Sequence, residues 1–594
     1  MLSRRSVLAG TGASLALAAV PAGAQGSADA KVTALLDDVA DELLRLFPET
    51  ATGLGLDTGG RAALRGRSTD RSAAGQREIA RRLAARVAEF DRVDAGALTP
   101  ATRIHLDVAR TAFETALRGF AFPYGDVAVG GWRNSPYVVI QNVGAYIDTP
   151  RLFDVQKLEN EADAAAYLAR LADVATMLDA ETERLRGATA TGVIPPAFLL
   201  DKAINQLRSA RSGDPAAWPW VAKVGERFPA RRGQAAALAR DRIVPAFDRQ
   251  IAALQDQRVK AGNIAGVWRL PDGEAYYRWA LGAATTTTRT PDDIHAQGRD
   301  ELKRLQAQMD ALLRPLGYTQ GSVGARMAAL ARDPRQLFPN TDAGRAQVIA
   351  YAEGRIAAIR PRLPQAFSQP VKGNVEVRRI PLAEEPGAAS AYGGPGSLDG
   401  AIPGKFWINL STTARWPRYS IATTTFHEAL PGHVWQGEYT QRLPLIRSIL
   451  NEGFPAYSEG WALYAEQLAD ELGMYEDDPA GRLGFLQGLA FRACRLVVDT
   501  GLHAKRWTRE QAIAWFAEAN GQEQSEVVAE VERYCSWPGQ ACAYKTGHSE
   551  IVRMREAAAA RLGQRFDRRR FNDAVVGAGP MPLTVLGRVV ERST

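Results

Sequence analysis

Two histidines and two glutamates in the C-terminal half of the chain could bind a metal ion and use it for hydrolysis. His427 and Glu428 open the heptapeptide His-Glu-Ala-Leu-Pro-Gly-His, which ends at His433, and Glu459 follows further along the chain. Two neutral imidazoles and one carboxylate commonly hold a catalytic zinc ion and leave its fourth position to water. A glutamate beside the first histidine can take a proton from that water. We therefore predict one Zn2+ ion held by His427, His433 and Glu459, with Glu428 as the general base.

The spacing of the two histidines differs from that of the helical zinc motif His-Glu-x-x-His. In that motif the histidines are four residues apart and share one face of a helix. Here the second histidine stands at i+6, which on an undistorted helix places it about 120° around the axis and ~9 Å along it. Pro431 cannot donate a helix hydrogen bond to the carbonyl of His427, and Gly432 relaxes the backbone beside it. We expect a kink or bulge that turns His433 back toward His427.

A second helix is expected to supply the carboxylate ligand, with Ser458 as its N-cap. One face of this helix carries Glu459, Ala462, Glu466 and Asp470. Other positions can serve the core, namely Trp461, Leu468 and Leu472. Glu466, or Gln436 three residues past His433, could accept a hydrogen bond from a ligating imidazole. Alternatively, each of the two is an ordinary polar residue.

Asp499 has two possible partners on its own helix, one at four residues on either side. His503 at i+4 could be a donor tuned by Asp499 or a plain structural partner. Arg495 at i−4 could bind a substrate carboxylate, or it could only neutralise Asp499.

The rest of the chain predicts a mainly α protein with a small β element just before the metal segment. Helical periodicity covers 31–120, 155–262, the segment that begins at Pro291 with Thr290 as N-cap, and the chain from Trp416 to about 565. Residues 121–150 indicate loop or short strand. Within 373–411, NVEVRRIPL and GKFWINLS alternate as strands do and flank a Gly/Pro loop. We divide the chain into a leader (1–24), an N-terminal helical region (25–290) and a C-terminal catalytic region (291–594), the last two forming one body.

Composition excludes some classes of function. The chain has 594 residues, of which 46% are hydrophobic, and a formal net charge of +7 without a long basic run or a nucleic-acid motif, so nucleic acid is not an expected partner. Three cysteines, Cys494, Cys535 and Cys542, are too few for a disulfide framework. Cys535 and Cys542 could form a disulfide in an oxidising compartment, or both could be buried free thiols.

The N-terminus predicts export. Arg4 and Arg5 precede a short apolar stretch, and Ala22-Gly23-Ala24 is a small-x-small cleavage signal before Gln25. We predict a twin-arginine leader that is cut after Ala24, which would leave a periplasmic or secreted protein. An uncut N-terminal anchor is the alternative. No other segment has the roughly 20 apolar residues that a membrane span requires.

Several ordered stretches resemble the bacterial domain-of-unknown-function family 885. They are HEALPGHVWQ (427–436), EGWALYAE (459–466), RLVVDTGLH (495–503) and RYCSWPGQACAYKTG (533–547). The resemblance implies an exported or lipid-anchored, zincin-like protein whose metal motif is the expanded His-Glu-x-x-Pro-Gly-His form. Many members have two consecutive histidines after Pro-Gly, whereas this chain has Val434 at the second position, which leaves His433 as the ligand.

The family is similar in plan to helical metallopeptidases with a deep cleft. That similarity implies a large, two-lobed helical body with a central cleft, in which a strand near the metal pairs with the substrate backbone. The candidate edge strand here is 406–409, with Asn409 as a substrate-binding residue, although an ordinary sheet strand fits equally well. By the same analogy a tyrosine or histidine stabilises the oxyanion. The candidates are Tyr544, which we favour, Tyr534, His503 and His548.

Three functions remain open from sequence alone. The first is a zinc peptidase that cleaves short peptides with Glu428 as base. The second is a metal hydrolase of a non-peptide amide, ester or cell-wall fragment, because the same residues activate water for any acyl centre. The third is a binding protein that keeps the fold without catalysis, and an intact Glu428 argues against it.

Overall fold

Helices make up most of the chain, as the sequence predicts. The computed structural model describes residues 22–131, 133–382, 385, 389–397 and 402–593. Residues 1–21, which hold the twin arginine and most of the predicted leader, lie outside the described residues. Helix α1 begins at Ala22, ahead of the predicted cleavage site. No helix within the described ranges is long and apolar enough to cross a membrane.

The first half of the described chain is entirely helical apart from its connections. The N-terminal helices are α1 (Ala22–Leu46), α2 (Pro48–Gly53), α3 (Ala73–Phe90) and α4 (Pro100–Phe120). The next group is α5 (Ala145–Val155), α6 (Glu161–Ala190), α7 (Ala197–Arg211), α8 (Pro219–Arg227), α9 (Arg232–Leu238) and α10 (Val244–Val259). Then follow α11 (Gly273–Thr285), α12 (Pro291–Leu313), α13 (Val323–Ala331) and α14 (Asp342–Ile359). Thr290 caps α12 in a capping box with Asp293, which confirms the predicted start of that helix.

The second half carries a small sheet followed by the helices that hold the candidate ligands. The strands are β1 (Val375–Arg379), β2 (Ala391–Gly394) and β3 (Gly404–Ile408). The helices are α15 (Arg418–Glu428), α16 (His433–Thr440), α17 (Leu445–Ile449), α18 (Pro455–Glu471), α19 (Pro479–Ala504), α20 (Arg509–Asn520), α21 (Gln524–Ser536), α22 (Ala543–Leu562), α23 (Arg568–Gly577) and α24 (Leu583–Ser593). Helices α23 and α24 lie beyond the helical segment that periodicity predicts.

Two large hydrophobic cores organise the described helices. The larger draws buried residues mainly from α1, α3, α4 and α11 to α24, so it spans both predicted regions. The second is built between residues 138 and 254, from α5 to α10 and the loop before them. The division at residue 290 and the two-lobed cleft stay predictions. The candidate ligands lie on α15, α16 and α18, which contribute buried residues to the larger core.

The sheet has the order β1-β3-β2, with β1 parallel and β2 antiparallel to β3. The prediction that 406–409 forms an edge strand is therefore wrong, because β3 hydrogen-bonds to a neighbour on each side. The edge strand nearer the metal segment is β2, which lies in the predicted Gly/Pro loop. Gly393 of β2 packs against the backbone carbonyl of Glu428, at a distance that leaves no room for a side chain.

Candidate metal centre

The Pro-Gly pair divides the metal segment into two helices rather than kinking one. Helix α15 ends at Glu428, and Ala429 leaves helical geometry with φ −101° and ψ −95°. A cis peptide bond joins Leu430 to Pro431, and Gly432, with φ −79° and ψ −133°, leads directly into α16. A side chain on Gly432 would overlap the carbonyl of His427, so the chain folds back tightly here and only glycine fits. The predicted distortion is thus a complete break, and it places His433 at the start of a new helix.

This break brings the two histidines beside the carboxylate of α18. The Nε2 atoms of His427 and His433 each lie 3.5 Å from Oε2 of Glu459. The two imidazole rings are nearly perpendicular, at 88°, with centroids 5.0 Å apart. One donor atom from each of the three residues lies within 4.8 Å of the other two. Tetrahedral ligands at about 2.0–2.2 Å from an ion are ~3.4 Å apart, so these residues fit a metal ion with little adjustment.

Helix α18 does not begin at the predicted cap. Its first residue is Pro455 and its N-cap position is Phe454, so Ser458 lies inside the first turn. Proline is favoured in the first turn because its missing N–H has no helical partner there. The predicted core residues of this helix, Trp461, Leu468 and Leu472, are buried. The ring nitrogen of Trp461 also donates a hydrogen bond of 3.0 Å to the carbonyl of Pro431.

Glu466 orients the first histidine. Its Oε1 lies 2.8 Å from Nδ1 of His427, two turns along α18 from Glu459. The hydroxyl of Thr423 donates to the other oxygen of the same carboxylate. When Nδ1 of His427 donates to Glu466, Nε2 is left as the acceptor that a metal requires. Thr423 was missed from sequence, although its position one turn before His427 on α15 could have indicated it.

The buried charges of the cluster perturb one another strongly. Burial alone would lower the pKa of His427, but the carboxylates of Glu459 and Glu466 outweigh it and raise that pKa to about 9. Burial alone would raise the pKa of Glu459, yet hydrogen bonds from His427 and His433 hold it well below its usual range. Without an ion, the site therefore favours a protonated imidazole beside a carboxylate. A divalent cation would take the place of that proton.

The charge of Glu428 acts on the first histidine of the cluster and helps to raise the pKa of His427. The residue is half-buried and directly follows His427. Among the residues that the structure describes, its side chain makes no ion pair. A carboxylate that acts on a candidate ligand and makes no ion pair in the described chain is available to accept a proton.

Tyr544 and Tyr534 both contact Arg495. The guanidinium carbon of Arg495 lies 4.4 Å from the centre of the Tyr544 ring. The Tyr534 hydroxyl accepts a hydrogen bond of 3.1 Å from Nε of Arg495 and donates one of 2.8 Å to Glu530. Burial raises the pKa of Tyr544, and the charge of Glu459 raises it further, so its hydroxyl stays protonated. Tyr544 therefore keeps the proton that an oxyanion donor needs, whereas the Tyr534 hydroxyl is already used.

The predicted pairs with Asp499 do not form. Asp499 accepts hydrogen bonds from the Tyr277 hydroxyl, at 2.6 Å, and from the backbone of Gly539. His503 lies between the backbone N–H of Val267 and the carbonyl of Tyr534, at 3.2 and 3.1 Å. Arg495 pairs with Glu530, at 2.8 Å. The pairing of His503 with Asp499 and the alternative that Arg495 neutralises Asp499 are therefore wrong, because each side chain bonds to another element of the fold. Binding of a substrate carboxylate by Arg495 stays a prediction.

His548 belongs to a different cluster. Its Nδ1 lies 2.9 Å from Nζ of Lys545, and its Nε2 lies 2.8 Å from the side-chain oxygen of Gln467. These residues line a cavity of about 540 Å3 that also includes Glu301 and Ser549. The structure therefore does not bring His548 to the metal cluster.

Two other predicted site residues, Asn409 and Gln436, are buried in the protein interior. Asn409 is fully buried, and its amide group donates 2.7 Å to the carbonyl of Glu385 and accepts from the N–H of Ser411, so it supports the loop after β3. Gln436 is buried, and within the described chain it makes no hydrogen bond to His433.

The three cysteines are buried and free, so the predicted alternative of a disulfide between Cys535 and Cys542 is wrong.

Comparison with known proteins places the chain in a family. The family model described as "Bacterial protein of unknown function (DUF885)" matches residues 48–590. A solved structure from Colwellia psychrerythraea, described as a "putative lipoprotein", is 32% identical and superposes with a TM-score of 0.86, covering 95% of this chain and 99% of that one. A second, from Shewanella oneidensis, described as a "putative lipoprotein of unknown function", shares the fold at 19% identity and a TM-score of 0.70, covering 94% and 99%. No curated protein matches. The chain belongs to the bacterial family of unknown function DUF885.

Proposed function

We propose that this protein is a zinc-dependent hydrolase that cleaves amide bonds in short peptides. The observation that carries the proposal is the convergence of His427, His433 and Glu459 around one point. The charge of Glu428, the residue after His427, also acts on this cluster. Residue types, order and geometry agree with a three-residue zinc site that leaves a fourth position to water.

The protein residues have separate roles in this proposal. His427, His433 and Glu459 would hold the ion, and Glu466 keeps Nε2 of His427 turned toward it. Zinc at these ligands would supply Lewis acidity toward a water molecule and a substrate carbonyl. The carboxylate of Glu428 takes the proton from the attacking water and later gives it to the leaving amine. The protonated hydroxyl of Tyr544 donates a hydrogen bond to the developing oxyanion.

A strand edge supports a peptide rather than another acyl substrate. Strand β2 is hydrogen-bonded only to β3 within the described sheet, and Gly393 lies against the carbonyl of Glu428. An extended peptide can add to such an edge through its backbone. We infer that β2, and not β3, aligns the substrate backbone with the metal centre.

We also place the protein outside the cytoplasm. The sequence begins with a twin-arginine pattern, and the two similar solved structures are described as lipoproteins in the terms quoted above. Peptides released during turnover of envelope proteins would then be accessible as substrates.

The decisive experiment combines metal analysis with one conservative variant. Purified wild-type protein should contain about one zinc per chain and cleave members of a short-peptide library. Glu428→Gln should retain the zinc and lose turnover by several orders of magnitude, because it cannot accept the proton. Glu353→Gln, which changes an exposed glutamate on α14, is the matched control and should keep full activity. A Glu428→Gln protein as active as wild type, or a wild-type protein that binds no metal, would refute the proposal.

A further inference from the structure

A buried arginine beside the candidate metal centre has one nitrogen without a partner. Arg495 lies on α19 and is 7% exposed. Its Nε and Nη2 atoms bond to Tyr534 and Glu530, at 3.1 and 2.8 Å. Its Nη1 is buried, and it has no hydrogen-bond partner among the residues that the structure describes. Leaving a charged donor unpaired in the interior is costly, so a ligand group is the expected partner.

The charges around Arg495 do not balance. Arg533 lies 3.0 Å from the same oxygen of Glu530 that Arg495 contacts, so two guanidinium groups share one carboxylate. Glu459 is another carboxylate whose charge acts on Arg495, and in the proposed function that carboxylate is a metal ligand. Burying such an excess of positive charge is unfavourable unless an anion joins it. With Glu459 bound to a metal ion, Arg495 and Arg533 have only the carboxylate of Glu530 between them.

This cluster lies next to the metal centre. Gly460, which follows Glu459, packs against Gly547 so closely that a side chain on either residue would overlap the other helix. Tyr544 lies one turn before Gly547 on α22, and its ring packs against the guanidinium of Arg495. The charge of Glu459 acts on both Tyr544 and Arg495. A ligand whose reacting amide lies at the metal centre would therefore extend toward Arg495.

We propose that Arg495, supported by Arg533, binds the C-terminal carboxylate of the peptide, so that the protein removes residues from a free C-terminus. The inference rests on the proposed function, because it assigns the direction of the same substrate. A planar guanidinium with an unpaired nitrogen binds a carboxylate more strongly than it binds a neutral amide. A carboxylate could also come from an acidic side chain near the cleaved bond, and the two sources are separated by the substrates below.

The test compares three tetrapeptides that differ only at the C-terminus. The first is a free acid, the second is its C-terminal amide, and the third is an amide whose last residue is glutamate. We expect wild-type kcat/KM to fall about 10²-fold or more from the acid to the neutral amide, the range for loss of a buried charged partner. Rescue by the glutamyl amide to the level of the free acid would show that side-chain carboxylates are recognised instead, and equal rates on all three would overturn the proposal.

A variant and a binding measurement make the result independent of turnover. Arg495→Gln should lose most of the preference for the acid, whereas Arg482→Gln, which removes a partly exposed arginine from the same helix, should keep it. Calorimetric titration of the Glu428→Gln protein should show tighter binding of the acid than of the amide by a similar factor. If the wild type cleaves none of the peptides, the proposed function fails, and the titration still decides whether the carboxylate is recognised. Equal affinity for acid and amide would refute this inference even if both are cleaved.

Discussion

Replacing Gly432 by alanine is the most direct test of the way in which the two histidines are brought together. Side-chain carbons essentially never approach other heavy atoms closer than 3.0 Å, and the new carbon would lie 2.5 Å from the carbonyl oxygen of Phe426 and closer still to that of His427. The backbone must therefore move by at least 0.5 Å, the difference between these two distances. Metal sites tolerate deviations of only about 0.2 Å in ligand distance, so His433 would no longer reach the ion properly.

The expected loss of zinc affinity can be measured as a smaller gain in the free energy of unfolding when zinc is added. Zinc at 100 times its Kd stabilises the native protein by about 2.7 kcal/mol. If the displaced ligand weakens binding about 10²-fold, as removal of ligand support does at its upper end, the same zinc concentration gives only about 0.4 kcal/mol. The metal-free variant should also be destabilised by about 1–3 kcal/mol through overpacking.

The assay is chemical unfolding of the metal-free and zinc-loaded proteins, together with zinc affinity from chelator competition. Gly394→Ala is the matched control, since an added carbon there meets nothing within 4 Å. It should bind zinc as wild type does. If Gly432→Ala keeps zinc affinity within a few-fold of wild type, the proposed dependence of the site on this turn is refuted.

Two further predictions concern the buried partners of the site. Glu466→Gln should lower zinc affinity about 10-fold without unfolding the protein, because a neutral amide supports His427 less well than a carboxylate does. Chelator competition measures this affinity, and an unchanged value would contradict the orienting role of Glu466. Burial lowers the pKa of His503 to about 4, whereas the unfolded chain takes up the proton near pH 6.5. The stability that this group contributes is therefore complete above about pH 6.5 and is lost as the pH falls toward 4, by at most about 3 kcal/mol. In His503→Gln the free energy of unfolding, measured with urea, should depend less on pH between about 6.5 and 4. The same pH dependence as in wild type would refute the assignment.

The sequence predicted the helices better than the strands for a physical reason. Long helices such as α12 and α19 repeat their apolar positions over many turns, so their pattern stands out locally. Strand β2 reads Ala-Tyr-Gly-Gly, a composition typical of turns, and it becomes a strand only because β3 pairs with it. The central position of β3 was unpredictable for the same reason, since strand order depends on contacts distant in sequence.

The candidate ligands could be predicted because residue type limits metal chemistry to a few side chains. The partners of those residues were harder to predict. Glu530, which pairs with Arg495 from another helix, carries no sequence signal that separates it from other surface glutamates. His503 and His548 were plausible donors by type, but the direction in which each faces depends on how α19 and α22 pack. Helical spacing alone does not determine that direction.

The geometry of the turn also explains why one helix can hold the whole site together. In a motif with histidines at i and i+4, the helix itself fixes the distance between the ligands. Here a non-helical turn fixes that distance, so it must be held from outside. Helix α18 does this with Trp461, which hydrogen-bonds to Pro431 in the turn, and it also supplies Glu459 and the partner of His427, Glu466. Because one rigid element supplies a ligand, anchors the turn and orients a histidine, a displacement of α18 would disturb all three ligands together.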